Sequence, residues 1–444
     1  MLDCTRPWYR MGDNWGDVFT YLGANPKYRL ISRSFKNRYD QTAYLAIQEL
    51  WSRYMPHFSR IFSTGTVSTR QRIQGLHRCY QVMSNTPAAV PREIADKSFI
   101  MFAANCGFNT FIDLTFDSSD RYSLFAAAQR GRDWMKLNPT QCEAIGELVF
   151  SGDIVPPEIG LLKNLYALKL SGRNLRVLPD ALGDLTSLRV LKLSDTPVTY
   201  LPKTLCHLQH LEQLHASRTL LSQLPEGRWT QLRELHLEQT LLTELPDSAR
   251  YWENLEVLDA SGSSLKKLPE GRWARLRELH LEQTQLTELP DSVRYWESLQ
   301  RLDLSKTKLT CLPEGVGSFR HLKGFSVSGT NLSSLPDAVA NWTALESLNL
   351  SGTPLTHLSQ AVGGWENLEV LDVSNTPLSA LPGSVGGWKR LRVLDLSKTA
   401  VSELPDTVGN WECLTAINLS ATPLISLPAT ASRWIRCRIC EKKP

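Results

Sequence analysis

No run of about 18 uncharged apolar residues occurs in this 444-residue chain, so nothing in it is expected to span a bilayer. The opening segment MLDCTRPWYRMGDNWGD carries Asp3, Arg6 and Arg10 where a secretory leader needs an apolar core. A cytoplasmic protein is expected, or one exported by specialised machinery that leaves no such mark. Cysteine is sparse and unpatterned: nine residues, an odd number scattered from Cys4 to Cys440, suit a reducing compartment better than a disulfide framework. The closest pair, Cys437 and Cys440 in CRIC, has no second CxxC and no nearby His, which leaves half a zinc site at most. Charge of one sign is missing as well. Residues 1 to 144 hold 18 Lys/Arg against 12 Asp/Glu and the rest is near balance, so no nucleic-acid footprint is present. The motifs GxxxxGK[ST], HExxH and GxSxG are all absent, and with them the commonest nucleotide-phosphate, zinc-peptidase and serine-hydrolase chemistries.

What the chain does have is repetition. LRELHLEQTLLTELPDSARYW, Leu232 to Trp252, recurs almost unchanged as LRELHLEQTQLTELPDSVRYW, Leu276 to Trp296. Generalised to LxxLxLSxTxLxxLPxxxxxWxx, the unit is anchored by Leu at 165, 188, 211, 232, 255, 276, 299, 322, 345, 368, 391 and 414. Its spacing is 23 residues, except for two units of 21 from Leu211 and Leu255 that end in PEGRW. A degenerate unit, Ile145 to Asn164, starts the array. Within one unit Leu232, Leu235 and Leu237 alternate inward from a short strand, and Leu242 and Leu245 point in from the turn behind it. One such coil cannot bury its Leu residues alone, whereas stacked coils can.

Two further columns are regular. Thr stands at 196, 219, 240, 284, 307, 330, 353, 376, 399 and 422, where its hydroxyl can satisfy buried backbone groups at the turn. Trp stands at 229, 252, 273, 296, 342, 365, 388, 411 and 434, with Phe319 in the one gap. Nine Trp at one structural position point to a packing wedge between coils rather than to a ligand-binding ladder.

The LxxLxL strand with its following turn resembles the leucine-rich-repeat family. That resemblance implies an α/β solenoid, a curved parallel sheet of about 13 coils over residues 145–434, with a short tail at 435–444. The family places Asn in its backbone-bonding ladder where this chain has Thr. Residues 1–140 carry no repeat and read as a mainly helical domain, with helices expected at Asp17–Leu22, Gln41–Tyr54, Thr69–Ser84 and Ser119–Met135. The apolar stretch at 98–114 reads either as a buried helix with a Gly break or as a strand pair.

Within that domain, residues 15–40 resemble an F-box. Val18, Phe19 and Leu22 fall on its first apolar helix, and Leu30, Ile31, Ser32, Arg33 and Phe35 on its second. The opening Leu-Pro of that motif is missing, and the segment between Leu22 and Ile31 is shorter than usual. The resemblance implies docking on a Skp1-type adaptor of a ubiquitin ligase, with the repeats holding the substrate. F-box and leucine-rich repeats occur together in eukaryotic adaptors and in bacterial effectors delivered into host cells, and the near-identical 44-residue duplication resembles the bacterial style.

Side chains at the third, fifth and seventh positions of each LxxLxL strand face the concave side. The fifth column grades from basic through His to acidic: Lys192, His215, His236, Asp259, His280, Asp303, Asp372 and Asp395 are its charged members from the third coil on. Glu234, Glu238, Glu278 and Glu282 flank the central His residues, and together these twelve form the expected protein-binding face. His236 and His280 lie two coils apart, roughly 10 Å, too far to share one zinc ion. No metal, cofactor or small-molecule ligand is expected, and no catalytic residue is assigned. An enzymatic alternative would have to place its nucleophile in residues 1–140, where Cys79 beside His77 is the best candidate. The two sit about 200° apart on a helix, so a buried structural Cys fits better.

Overall fold

The computed structural model describes residues 131–434 and 437–440, together with 99, 101–103 and 106. The F-box-like segment, Cys79 and the helices expected at 17–22, 41–54 and 69–84 lie outside the described residues. Of the helix expected at 119–135, residues 131–135 are described and helical, and the helix runs to 137. In the stretch left open between helix and strands, residues 99 and 101–103 are helical. Phe99 and Phe102 are fully buried there, Phe102 meeting Phe150 edge-on at 6.1 Å and Arg132 lying 4.8 Å over the Phe99 ring. These rings cover the end of the core that the first coil would otherwise expose to water. A short helix α1 (Pro139–Glu143) leads into the array.

Fourteen parallel strands follow in sequence order from β1 (Glu147–Ser151) to β14 (Arg438–Cys440), each hydrogen-bonded to the next. Between them β4 is Gln213–His215, β5 Glu234–His236, β6 Val257–Asp259, β7 Glu278–His280, β8 Arg301–Asp303 and β13 Ala416–Asn418. The alternation behaves as its period demands: Leu232, Leu235 and Leu237 are fully buried, while Glu234, His236 and Glu238 between them are only partly covered. From the coil of Leu188 to that of Leu414 the chain reverses after the strand through a residue of positive φ, supplied by Gly262, Gly329 and Gly352 in three coils and by Asn375 in a fourth. The next residue is the Thr of the repeat, or Ser263 where Gly262 precedes it. All ten Thr hydroxyls donate to the carbonyl three residues back, at 2.5–2.8 Å, so they tie each turn to its own strand.

The Leu-Pro step then starts a five-residue 3-10 helix in most coils, the extended Pro standing just before it. Where Pro is replaced, Ser359 caps the turn instead, accepting from the Ala361 amide. The two 21-residue coils have no room for this helix. There PEGRW runs straight into Trp229 and Trp273, and a Cβ on Gly227 or Gly271 would meet the indole at 2.8 or 2.6 Å.

The Trp column is the packing wedge its regularity predicts. Eight of the nine rings are at most 1% exposed and Trp434 is 8% exposed, which leaves no ladder for a ligand. Neighbours stack at 5.4–6.3 Å where two Trp are adjacent in full coils or where the Trp of PEGRW meets the Trp of the next coil. Each Nε1–H donates into the preceding coil at 2.8–3.1 Å, as from Trp252 to the Gly227 carbonyl. Area burial and a satisfied polar handle thus coincide in one residue. At the far end, the segment expected as a plain tail contributes β14, because the backbone groups of β13 would otherwise lie unpaired at a sheet edge.

Candidate recognition face

All twelve residues expected on the concave side stand at the outward positions of the strands or two residues beyond them, and register decides which of them meet. Gln213 pairs with Glu234 and His215 with His236; His236 then pairs with Asp259, Asp259 with His280, and His280 with Asp303. Lys192 stands opposite His215 on the preceding strand. Asp372 and Asp395 pair with one another four coils farther on and join neither His group.

The densest grouping lies on β4, β5 and β6. The imidazoles of His215 and His236 stack at 4.6 Å with 7° between their planes. His236 is held between two carboxylates, its Nε2 3.8 Å from Glu234 and its Nδ1 3.6 Å from Glu238. Gln213 donates to Glu234 Oε1 at 3.0 Å, and the Ser217 hydroxyl donates to Glu238 Oε2. His215 Nε2 is buried with no hydrogen-bond partner among the described residues. Burial, then the neighbouring His236 and Lys192, push the His215 pKa below its usual 6.5. The Glu238 carboxylate has the opposite effect on His236 and raises it against the cost of burial. Burial would raise Glu238 too, but the hydrogen-bonding groups of His236 and Ser217 outweigh it and hold the carboxyl at about 2. Two trios, His215 with Glu234 and His236, and His236 with Glu238 and Asp259, each bring three ligand-type atoms within 4.8 Å of one another.

The second grouping, on β7 and β8, is looser. Glu278 lies 3.5 Å from His280 and 3.7 Å from Arg301, and Glu282 Oε2 is buried without a partner among the described residues. The acidic column has local work of its own. One carboxylate oxygen of Asp259, Asp303, Asp372 and Asp395 accepts the amide of the Ser two residues on, at 2.8–3.0 Å, closing the strand end, and Asn349 and Asn418 do the same. The His coils lack this bond, which leaves their fifth position free for contacts across strands. Gln213, Ser217 and Arg301 escaped the sequence reading, although aligning the third and seventh columns of neighbouring coils would have placed Gln213 beside Glu234 and Ser217 beside Glu238. The F-box-like residues Val18, Phe19, Leu22, Leu30, Ile31 and Phe35 lie outside the described residues.

Comparison with known proteins agrees with this architecture. A family model for the leucine-rich repeat region matches residues 271–351. A leucine-rich-repeat protein of Leptospira interrogans superposes with a TM-score of 0.53 at 26% identity, over 67% of this chain and 90% of that one. The functional domain of InlJ from Listeria monocytogenes gives 0.53 at 20% identity, over 67% and 68%. PEPR1, solved with AtPEP1, gives 0.51 at 24% identity, over 67% and 48%. No curated protein matches the sequence. No helix among the described residues is long and apolar enough to cross a membrane. Repeat, register and structural neighbours converge: the described residues from Glu147 to Cys440 form a leucine-rich-repeat solenoid.

Proposed function

We propose that this protein is a binding module rather than an enzyme, and that it holds a protein partner against the open face of its sheet, centred on β4 to β8. The observation that carries this reading is the collection of outward polar side chains whose neighbours already orient them, as Gln213 orients Glu234 and Ser217 orients Glu238. Side chains held in place before association lose less entropy on binding. Six carboxylates, from Glu234, Glu238, Asp259, Glu278, Glu282 and Asp303, face one another across the four coils of β5 to β8, so the matching segment of the partner is basic. Exposed Leu220 and Leu241, one turn beyond β4 and β5, offer an apolar rim. Affinity capture on the full chain from a eukaryotic lysate, followed by identification of what binds, tests this. Capture that weakens with salt and with His236→Ala plus His280→Ala supports the face, whereas capture indifferent to both removes it.

A narrower version rests on the F-box resemblance of residues 15–40. In it the N-terminal domain docks on a Skp1-type adaptor and the solenoid recruits a substrate to a ubiquitin ligase, in the manner of a bacterial effector inside a host cell. Pull-down with that adaptor tests it. Phe19→Ala with Leu22→Ala abolishes capture if the version holds, and undiminished capture by the double variant excludes it.

A further inference from the structure

The duplicated unit carries its own control experiment. His236 and His280 have the same flanking carboxylates at positions two before and two after, yet only His236 has a second imidazole on the adjacent strand. We propose that His215, His236 and Glu234 form a binding site for a divalent transition-metal ion of the Zn2+ class, with Glu238 positioning His236 from behind.

The chemistry of each donor is set by its neighbour. A carboxylate on the Nδ1 side of His236 favours the tautomer with the proton on Nδ1, which leaves the Nε2 lone pair directed towards Glu234. This is the carboxylate–histidine–metal relay in which an outer carboxylate fixes the ring and raises its basicity. Ser217 in turn holds Glu238. Gln213 occupies Oε1 of Glu234 and leaves Oε2 for the site. His215 contributes a nitrogen that is buried and bonded to nothing among the described residues, a condition that coordination would relieve. Two imidazoles and a carboxylate are the donor set of zinc sites with three protein ligands and one open position. Glu234, Glu238 and Asp259 surround the site with negative charge, opposed on the preceding strand by Lys192. The ring planes are parallel, so binding requires them to turn until the lone pairs converge on one ion, which the part-exposed ring of His236 permits. The overlapping trio of His236, Glu238 and Asp259 is the competing arrangement, and it does not use His215.

The test uses the full chain, stripped of metal and titrated with Co2+ alone, then with Zn2+ in competition. The expected result is one equivalent of Co2+ with visible ligand-field bands, displaced by Zn2+, and ring signals of His215 and His236 broadened by the ion while His280 is untouched. This wild-type measurement does not depend on any variant folding. His215→Asn and His236→Asn each weaken binding about 100-fold, Glu238→Gln about 10-fold, and His280→Asn leaves it unchanged. Three results overturn the site: no saturable equivalent of Co2+; a spectrum abolished by Cys437→Ser with Cys440→Ser; or binding that survives His215→Asn but fails in Asp259→Asn.

Discussion

Leu232–Trp252 and Leu276–Trp296 differ only at Leu241/Gln285 and Ala249/Val293, and the two segments fold alike. Trp229 stacks on Trp252 at 5.6 Å and Trp273 on Trp296 at 5.4 Å. Arg228 covers Tyr251 at 4.8 Å and Arg272 covers Tyr295 at 4.9 Å. On the open face the likeness ends: His236 lies against His215, whereas the residue in register before His280 is Asp259. Packing is therefore carried inside the repeating unit, while the chemistry of the face depends on which coil happens to stand next to it.

The comparison can be broken most forcefully at the wedge. Trp252→Ala and Trp296→Ala each remove a fully buried indole and its hydrogen bond, and each should cost about 3–5 kcal/mol in denaturant unfolding. Leu237→Ala and Leu281→Ala should each cost about 2–5 kcal/mol for the same reason on a smaller scale. A large loss in one copy and none in the other would mean that the two units are not packed equivalently.

The turn comes next. Thr240→Val and Thr284→Val leave the carbonyls of Leu237 and Leu281 without their hydroxyl donor and should each cost about 1–3 kcal/mol. Between them Ser263 occupies the same column, but its hydroxyl is buried and unpaired among the described residues, so Ser263→Ala should change stability by less than about 0.5 kcal/mol. Equal losses at all three positions would show that the hydroxyl bond contributes nothing.

On the face the effects on stability shrink while those on binding grow. His236→Ala and His280→Ala should each move unfolding by less than about 0.5 kcal/mol and together weaken capture of the partner. The finest distinction lies in pH. In His215→Asn the remaining His236 has a pKa raised in the folded state by Glu238, so its stabilisation is present below 6.5 and is lost as pH rises through the folded value. In His236→Asn the remaining His215 has a pKa lowered chiefly by burial, so stability should instead rise with pH until 6.5 is passed. Melting curves from pH 5 to 8 should slope in opposite senses, and slopes of one sign would contradict the environments described for the two rings.

Much of this molecule could be read from its letters. The phase of the coils, the buried Leu and Trp columns and the turn-closing role of Thr all follow from local alternation and a fixed repeat length, and Leu237, Trp252 and Thr240 stand where those rules put them. The face was legible only as a set of outward residues. Asp303 and Asp395, read as a surface charge, also close their own strand ends, because a carboxylate two residues before a Ser amide reaches it without any partner coil.

Sequence alone therefore determined the solenoid and the side of the sheet on which each residue stands, since both depend on interactions within one coil repeated many times. Tertiary structure decided that His215 lies flat against His236, that Gln213 and Ser217 steer the two carboxylates beside them, and that His280 has no such neighbour. Those relations join residues 21 positions apart through strand register, and their geometry depends on how two neighbouring coils settle against each other.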